Sequence, residues 1–275
     1  MLIRSAAACV LFVALLTACR GLEPPAGGPP PVVTITADDD RFIAPDTVAA
    51  GLTTLHLVTR GAALHQVALA RIGGGHSFAE FLDAMRAPPP PPEWIDMAGG
   101  VNPPVAGGEA SVTMELEPGR YALLCLIPDS AGLPHVVRGM YREMVVVRRR
   151  VPRAAEPAVT DTLILSDGTI AASAPLSRGR HSFRVVNRGP SPHEVTFVRL
   201  APGRTEADMM RWLAHPAGPP PGTMLGGVFG IRTDQHAFVT VDFTPGEYLI
   251  FCSLLAREDG KPYYLHGMLR EVTVR

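Results

Sequence analysis

The chain repeats itself at a fixed interval, and this repeat limits its possible folds more than any other feature. His65-Gln66-Val67 returns as His193-Glu194-Val195, and Gly99-Gly100-Val101 returns as Gly226-Gly227-Val228. Pro118-Gly119-Arg120-Tyr121 is answered by Pro245-Gly246-Glu247-Tyr248, and Ser77-Phe78-Ala79-Glu80-Phe81 by Thr205-Glu206-Ala207-Asp208-Met209. Cys125 pairs with Cys252, and Gly139-Met140 with Gly267-Met268. The offset is 127 or 128 residues throughout, so the 275 residues divide into two copies of one domain, each of ordinary size.

Within each copy, short apolar runs alternate with turn residues. In the first, residues 32–36, 53–59, 65–72, 111–116, 120–125 and 143–148 read as strands. Residues 77–86 read as a short helix, because Ser77 with Glu80 three positions on makes a capping box. The second copy repeats this with strands over 162–165, 181–186, 194–200, 237–243, 248–252 and 271–274 and a helix over 206–214. The 28 prolines and 27 glycines suit many turns rather than long helices. The pattern predicts an all-β chain of two tandem Greek-key β-sandwiches, each with a short inserted helix, over residues 32–148 and 159–275. The polar stretch 149–158 reads as the linker.

The first residues are an address. Arg4 precedes an apolar run over 6–16, followed by Leu16-Thr17-Ala18-Cys19. The run is too short for a stable membrane span and fits a secretory signal of residues 1–18. Its ending resembles a bacterial lipobox, which implies that Cys19 carries a lipid and that residues 19–31, rich in Pro and Gly, form a semi-extended tether. The expected place is the cell envelope, exported and lipid-anchored, on the periplasmic side or at the cell surface. The formal net charge of −1 gives no basis for a nucleic-acid partner. With Cys9 in the leader and Cys19 lipidated, Cys125 and Cys252 remain. A disulfide needs Cα atoms within about 7 Å, and equivalent positions of two sandwiches stand further apart, so these cysteines are expected to be free.

Four residues of the first copy carry chemistry together. His65 is expected to begin a strand and Cys125 to end one, and His135 and Met140 follow in the loop before the last strand. Two imidazoles and a thiolate can form a trigonal plane with a weak thioether on its axis. That donor set suits copper in both oxidation states: soft sulfur favours Cu(I), and imidazole accepts either. Zinc is the competitor, since Cys and His also suit it. A constrained site of this kind exchanges an electron with little reorganisation.

Tyr121-Ala122-Leu123-Leu124-Cys125 followed by Pro134-His135-Val136-Val137-Arg138-Gly139-Met140 resembles the copper-binding loop of cupredoxins. The resemblance implies a cupredoxin-like fold in both halves and one type 1 (blue) copper in the first, held by His65, Cys125, His135 and Met140. The gap of nine residues from Cys125 to His135 is closer to that of the type 1 site of copper nitrite reductases than to that of small carriers. Gln66 stands where many family members have Asn, which leaves the bracing of the loop open.

In the second copy His193, Cys252 and Met268 recur, but Tyr263 takes the place of His135. His266 is the one imidazole near enough in sequence to join a degenerate second site, although it aligns with Arg138. Multicopper oxidases and nitrite reductases need further copper on His-x-His pairs and on His flanking the Cys. Here Leu124 and Leu126 flank Cys125, Phe251 and Ser253 flank Cys252, and no His-x-His occurs. The expectation is a non-enzymatic one-electron carrier, with a redox protein docking beside His135 on Pro134, Val136 and Val137. A copper storage, delivery or sensing module and a copper-free structural protein are the alternatives.

Overall fold

In β1 (Val32–Asp38), Val33, Ile35 and Ala37 are buried while the residues between them are partly or fully exposed. This period-two pattern places one face of a strand on a core. The computed structural model describes residues 27–87, 91–148 and 153–275. The leader, Cys19, most of the tether and part of the linker lie outside the described residues. The first half continues with β2 (Arg41–Ile43), β3 (Thr47–Ala49), β4 (Gly51–Thr59), β5 (Val67–Ile72), α1 (Phe78–Arg86), β6 (Ile95–Val101), β7 (Glu109–Leu116), β8 (Gly119–Leu124) and β9 (Tyr141–Val147). The second half supplies β10 (Asp161–Ser166), β11 (Thr169–Ala172), β12 (Gly179–Asn187), β13 (His193–Leu200), α2 (Glu206–Ala214), β14 (Gly222–Ile231), β15 (His236–Phe243), β16 (Gly246–Phe251) and β17 (Leu269–Val274). No helix among the described residues is long and apolar enough to cross a membrane.

Both halves are β-sandwiches with one short helix each, as the repeat implies. In each, the last but one strand returns beside an earlier one, β8 beside β5 and β16 beside β13, as in a Greek key. Each helix starts where its sequence says. Ser77 and Thr205 accept hydrogen bonds from the N–H groups of Glu80 and Asp208, whose carboxylates reach back to the cap N–H groups. Phe81 and Met209 are the buried anchors of these helices, each worth about 1.5–3 kcal/mol of apolar burial.

The halves are not two beads on a string. One sheet runs β11-β10-β12-β15-β7-β4-β1-β2 and the other β17-β16-β13-β14-β6-β5-β8-β9-β3, so each contains strands from both copies. The joins are antiparallel: Val112, Thr113 and Met114 of β7 face Val239, Phe238 and Ala237 of β15, and Val101 of β6 faces Val228 of β14. A single apolar core extends from Val33 to Val274 across the join.

The repeated Gly-Gly-Val triplets lie in the two strands β6 and β14 that make this second join. Gly100 has φ +145°, and a Cβ there would fall 2.0 Å from the carbonyl oxygen of Val67; Gly227 has φ +139°, with Val195 at the same distance. Only glycine allows this approach. The residue after Val101, Asn102, fastens the halves. Its backbone N–H donates to the Gly227 carbonyl, and its amide donates to the carbonyls of Val195 and Val228 and to the Thr196 hydroxyl. Arg232 of the second half pairs with Asp96 of the first.

Candidate metal centre

Two segments build the centre. His65 lies in the loop two residues ahead of β5, not in the strand itself, and Cys125 is the residue after β8. From Cys125 the chain loops out and returns as one 3-10 turn, His135–Arg138, closed by Gly139 in the left-handed conformation (φ +102°). Four backbone hydrogen bonds fix this loop: Cys125 N–H to Met140, Val136 N–H to Cys125, His135 N–H to Ile127 and Met140 N–H to His135. The Asp129 carboxylate braces the same loop, accepting from the N–H groups of Ala131 and Leu133 and pairing with Arg138, so the loop is fixed by bonds that do not involve the candidate donor atoms.

The donor atoms of His65, Cys125 and His135 lie within 4.8 Å of one another, and all three side chains are buried. His135 Nδ1 is 3.4 Å and His65 Nδ1 3.9 Å from Cys125 Sγ, and the two imidazole centroids are 5.0 Å apart. A first-row metal with bonds of about 2.0 Å to nitrogen and 2.3 Å to sulfur at a trigonal angle separates N from S by about 3.7 Å. The observed distances bracket that value. Met140 is 1% exposed and hydrogen-bonded through its main chain to both Cys125 and His135, which brings the fourth expected residue to the same place.

The protonation states suit a ligand set. Burial depresses the pKa of both imidazoles, with repulsion from His135 also acting on His65, so both are neutral at physiological pH. His65 Nε2 is buried without a hydrogen-bond partner, 3.8 Å from Asp39 Oδ1. A proton on Nε2 facing that carboxylate leaves the Nδ1 lone pair toward the sulfur, the division of labour of a metal-bound imidazole. Burial raises the Cys125 thiol to about 11, although the N–H groups of Gln66 and Ile127 favour the thiolate. Without a metal the sulfur is a protonated thiol at physiological pH; a metal bound there would hold it as the thiolate.

The second half keeps the frame and changes a donor. The same four backbone bonds recur through Cys252, Leu254, Tyr263, Tyr264 and Met268, and Gly267 closes the turn at φ +97°. His193 Nδ1 is 4.0 Å from Cys252 Sγ, and His193 Nε2 is bonded to Asp167 at 2.6 Å. Tyr263 occupies the place of His135, buried and edge-on to His193. Met268 is fully buried. His266, in contrast, sits at the end of the turn, 39% exposed and paired with Asp259, and does not join the other three. Cys125 and Cys252 are both free.

The remaining imidazoles are dispersed. His56 bonds Ser111, His76 stacks on Trp94, His181 bonds Asp161 and His236 faces Glu156. Two residues of these candidate sites escaped the sequence reading, Asp39 and Asp167, which face the outer nitrogens of His65 and His193. Their common offset of 128 residues was a usable signal.

No protein-family model matches the chain, and no curated protein sequence does. Among solved structures, reduced auracyanin from the photosynthetic bacterium Roseiflexus castenholzii is 23% identical over 44% of this chain and 99% of its own, with a TM-score of 0.30. A multicopper oxidase is 12% identical over 89% of this chain and 88% of its own, at a TM-score of 0.26. A blue copper oxidase from Nitrosomonas europaea is 13% identical over 88% and 85%, at 0.24. With a Greek-key sandwich in each half, and a cysteine-ended strand, a glycine-closed ligand turn and an incoming histidine in each, the chain has the fold of a tandem cupredoxin.

Proposed function

We propose that the first half binds one copper ion as a type 1 centre and that the protein transfers single electrons through it. The observation that carries this reading is the convergence of His65, Cys125 and His135 on one buried point, with Met140 tied to the same loop. One thiolate and two neutral imidazoles in a plane, with a thioether as the remaining donor, favour copper over zinc. When bound, copper supplies a one-electron couple. The chain holds the donors in place by main-chain bonds, so the geometry need not change with oxidation state.

The reading includes no catalytic turnover at additional copper, which is consistent with the separate partners of His56, His76, His181 and His236. It also places the protein in the cell envelope, exported and anchored through a lipid on Cys19, with a redox protein as electron partner. Leu133 (46% exposed) and Val137 (68% exposed) flank His135 on the surface and offer that partner an apolar contact. Titration of the metal-free protein with Cu(II), followed by its visible spectrum, tests the proposal. An intense thiolate-to-copper band that disappears on reduction and returns on oxidation supports the carrier. Binding of Cu(I) without such a band favours storage or delivery, and no binding leaves a structural protein.

A further inference from the structure

A cleft of about 1170 Å³ opens between the halves, and His135 forms part of its wall. This is large enough for a small organic ligand. Leu126 and Ile127 of the first half and Trp212, Phe251 and Tyr264 of the second make its sides apolar and aromatic. No Lys or Arg is among the described residues lining it, and its acidic members are Asp129, already paired with Arg138, and Glu194. The cleft therefore disfavours anions.

Two polar side chains stand in it at equivalent places, Gln66 and Glu194, each directly after the first histidine of its half. They differ in what they hold. Glu194 accepts hydrogen bonds from the Ser253 N–H and hydroxyl. Gln66 is 8% exposed, and among the described residues its side-chain amide makes no hydrogen bond. The amide is not sealed in the core: it lines the cleft, where its oxygen can accept and its NH2 can donate to a ligand.

We propose that this cleft is a binding site for a neutral aromatic small molecule bearing hydroxyl groups, of the phenol or hydroquinone class, with Gln66 as its polar anchor and Trp212 and Tyr264 as its apolar walls. Aromatic faces stack such a ring, the amide both donates to and accepts from a hydroxyl, and the absence of a cation rejects carboxylates and sulfonates. A ligand there lies beside His135. Its use as an electron donor rests on the copper reading, whereas its binding does not.

The test is calorimetric titration of the metal-free full-length protein with 2-naphthol and, separately, with 2-naphthalenesulfonate. The expected result is one naphthol per chain, with the sulfonate bound at least tenfold more weakly. Gln66→Leu should weaken naphthol binding roughly tenfold, the value of one lost hydrogen bond to a buried group. Ala63→Trp, at the cleft rim, should weaken it as well without touching the core. Absence of naphthol binding, equal binding of the sulfonate, or wild-type binding by both variants would overturn the site. Naphthol binding by a protein that takes up no copper would uphold the cleft and reject only the electron-transfer reading.

Discussion

Tyr263 stands edge-on to His193 with ring centroids 4.6 Å apart, in the place where His135 stands 5.0 Å from His65 in the first half. Because the backbone bonds around the two turns are the same, the missing imidazole is the largest difference between the centres. Tyr263→His should raise copper uptake from one ion per chain to two, measured by metal analysis after equilibrium dialysis. An unchanged stoichiometry would mean that the bond from Asp167 to His193, or the longer distance to Cys252, disables the second centre independently.

The two cysteines should separate cleanly. Cys125→Ser is expected to abolish the visible copper band, and Cys252→Ser to leave its intensity within about a tenth of the original, since only a thiolate gives this charge transfer. Absorption spectra of the copper-loaded variants decide this. Loss of the band in the second variant alone would place the working centre in the other half.

Asn102 is 1% exposed and donates three side-chain hydrogen bonds into the second half. Asn102→Ala leaves two buried carbonyls and a hydroxyl short of a donor and should cost about 1–3 kcal/mol in denaturant unfolding. The copper band should persist, because none of these bonds touches the ligand loop.

Glu194 is buried, and burial raises its carboxyl pKa above 4.5, with hydrogen bonds from Ser253 and Asn102 opposing the shift. The folded protein thus keeps this proton to higher pH than the unfolded chain. The contribution to stability is full below pH 4.5 and is lost as pH rises through the elevated folded value. Glu194→Gln should therefore lose less stability than the wild type between pH 5 and pH 8, read from denaturation midpoints. Identical pH slopes would show that Glu194 ionises without cost.

The sequence spoke clearly where local chemistry decides structure. The capping box at Ser77 placed the first helix, the repeat placed the second, and the same repeat set Tyr263 in the position of His135. Strands β6 and β14 were not legible: their Gly-Gly pairs marked the repeat, but glycine pairs signal turns more than strands, and here they serve close backbone approach instead. The continuity of the sheets was likewise hidden: edge pairing between β7 and β15 leaves no mark on either strand that a solvent-facing edge would not also leave. His135 keeps only a small edge exposed, at 8%, and what the sequence did not show is that this edge lines a cleft whose far wall comes from the second half.

The seam through both sheets gives each half the character of a subunit in a fused dimer. Released from its twin, the first half would present the open margins of β6 and β7 to water, each with ladder groups looking for another strand. Such a fragment would find the nearest substitute in a second molecule of itself, rebuilding across two chains the symmetry that one gene now encodes in tandem.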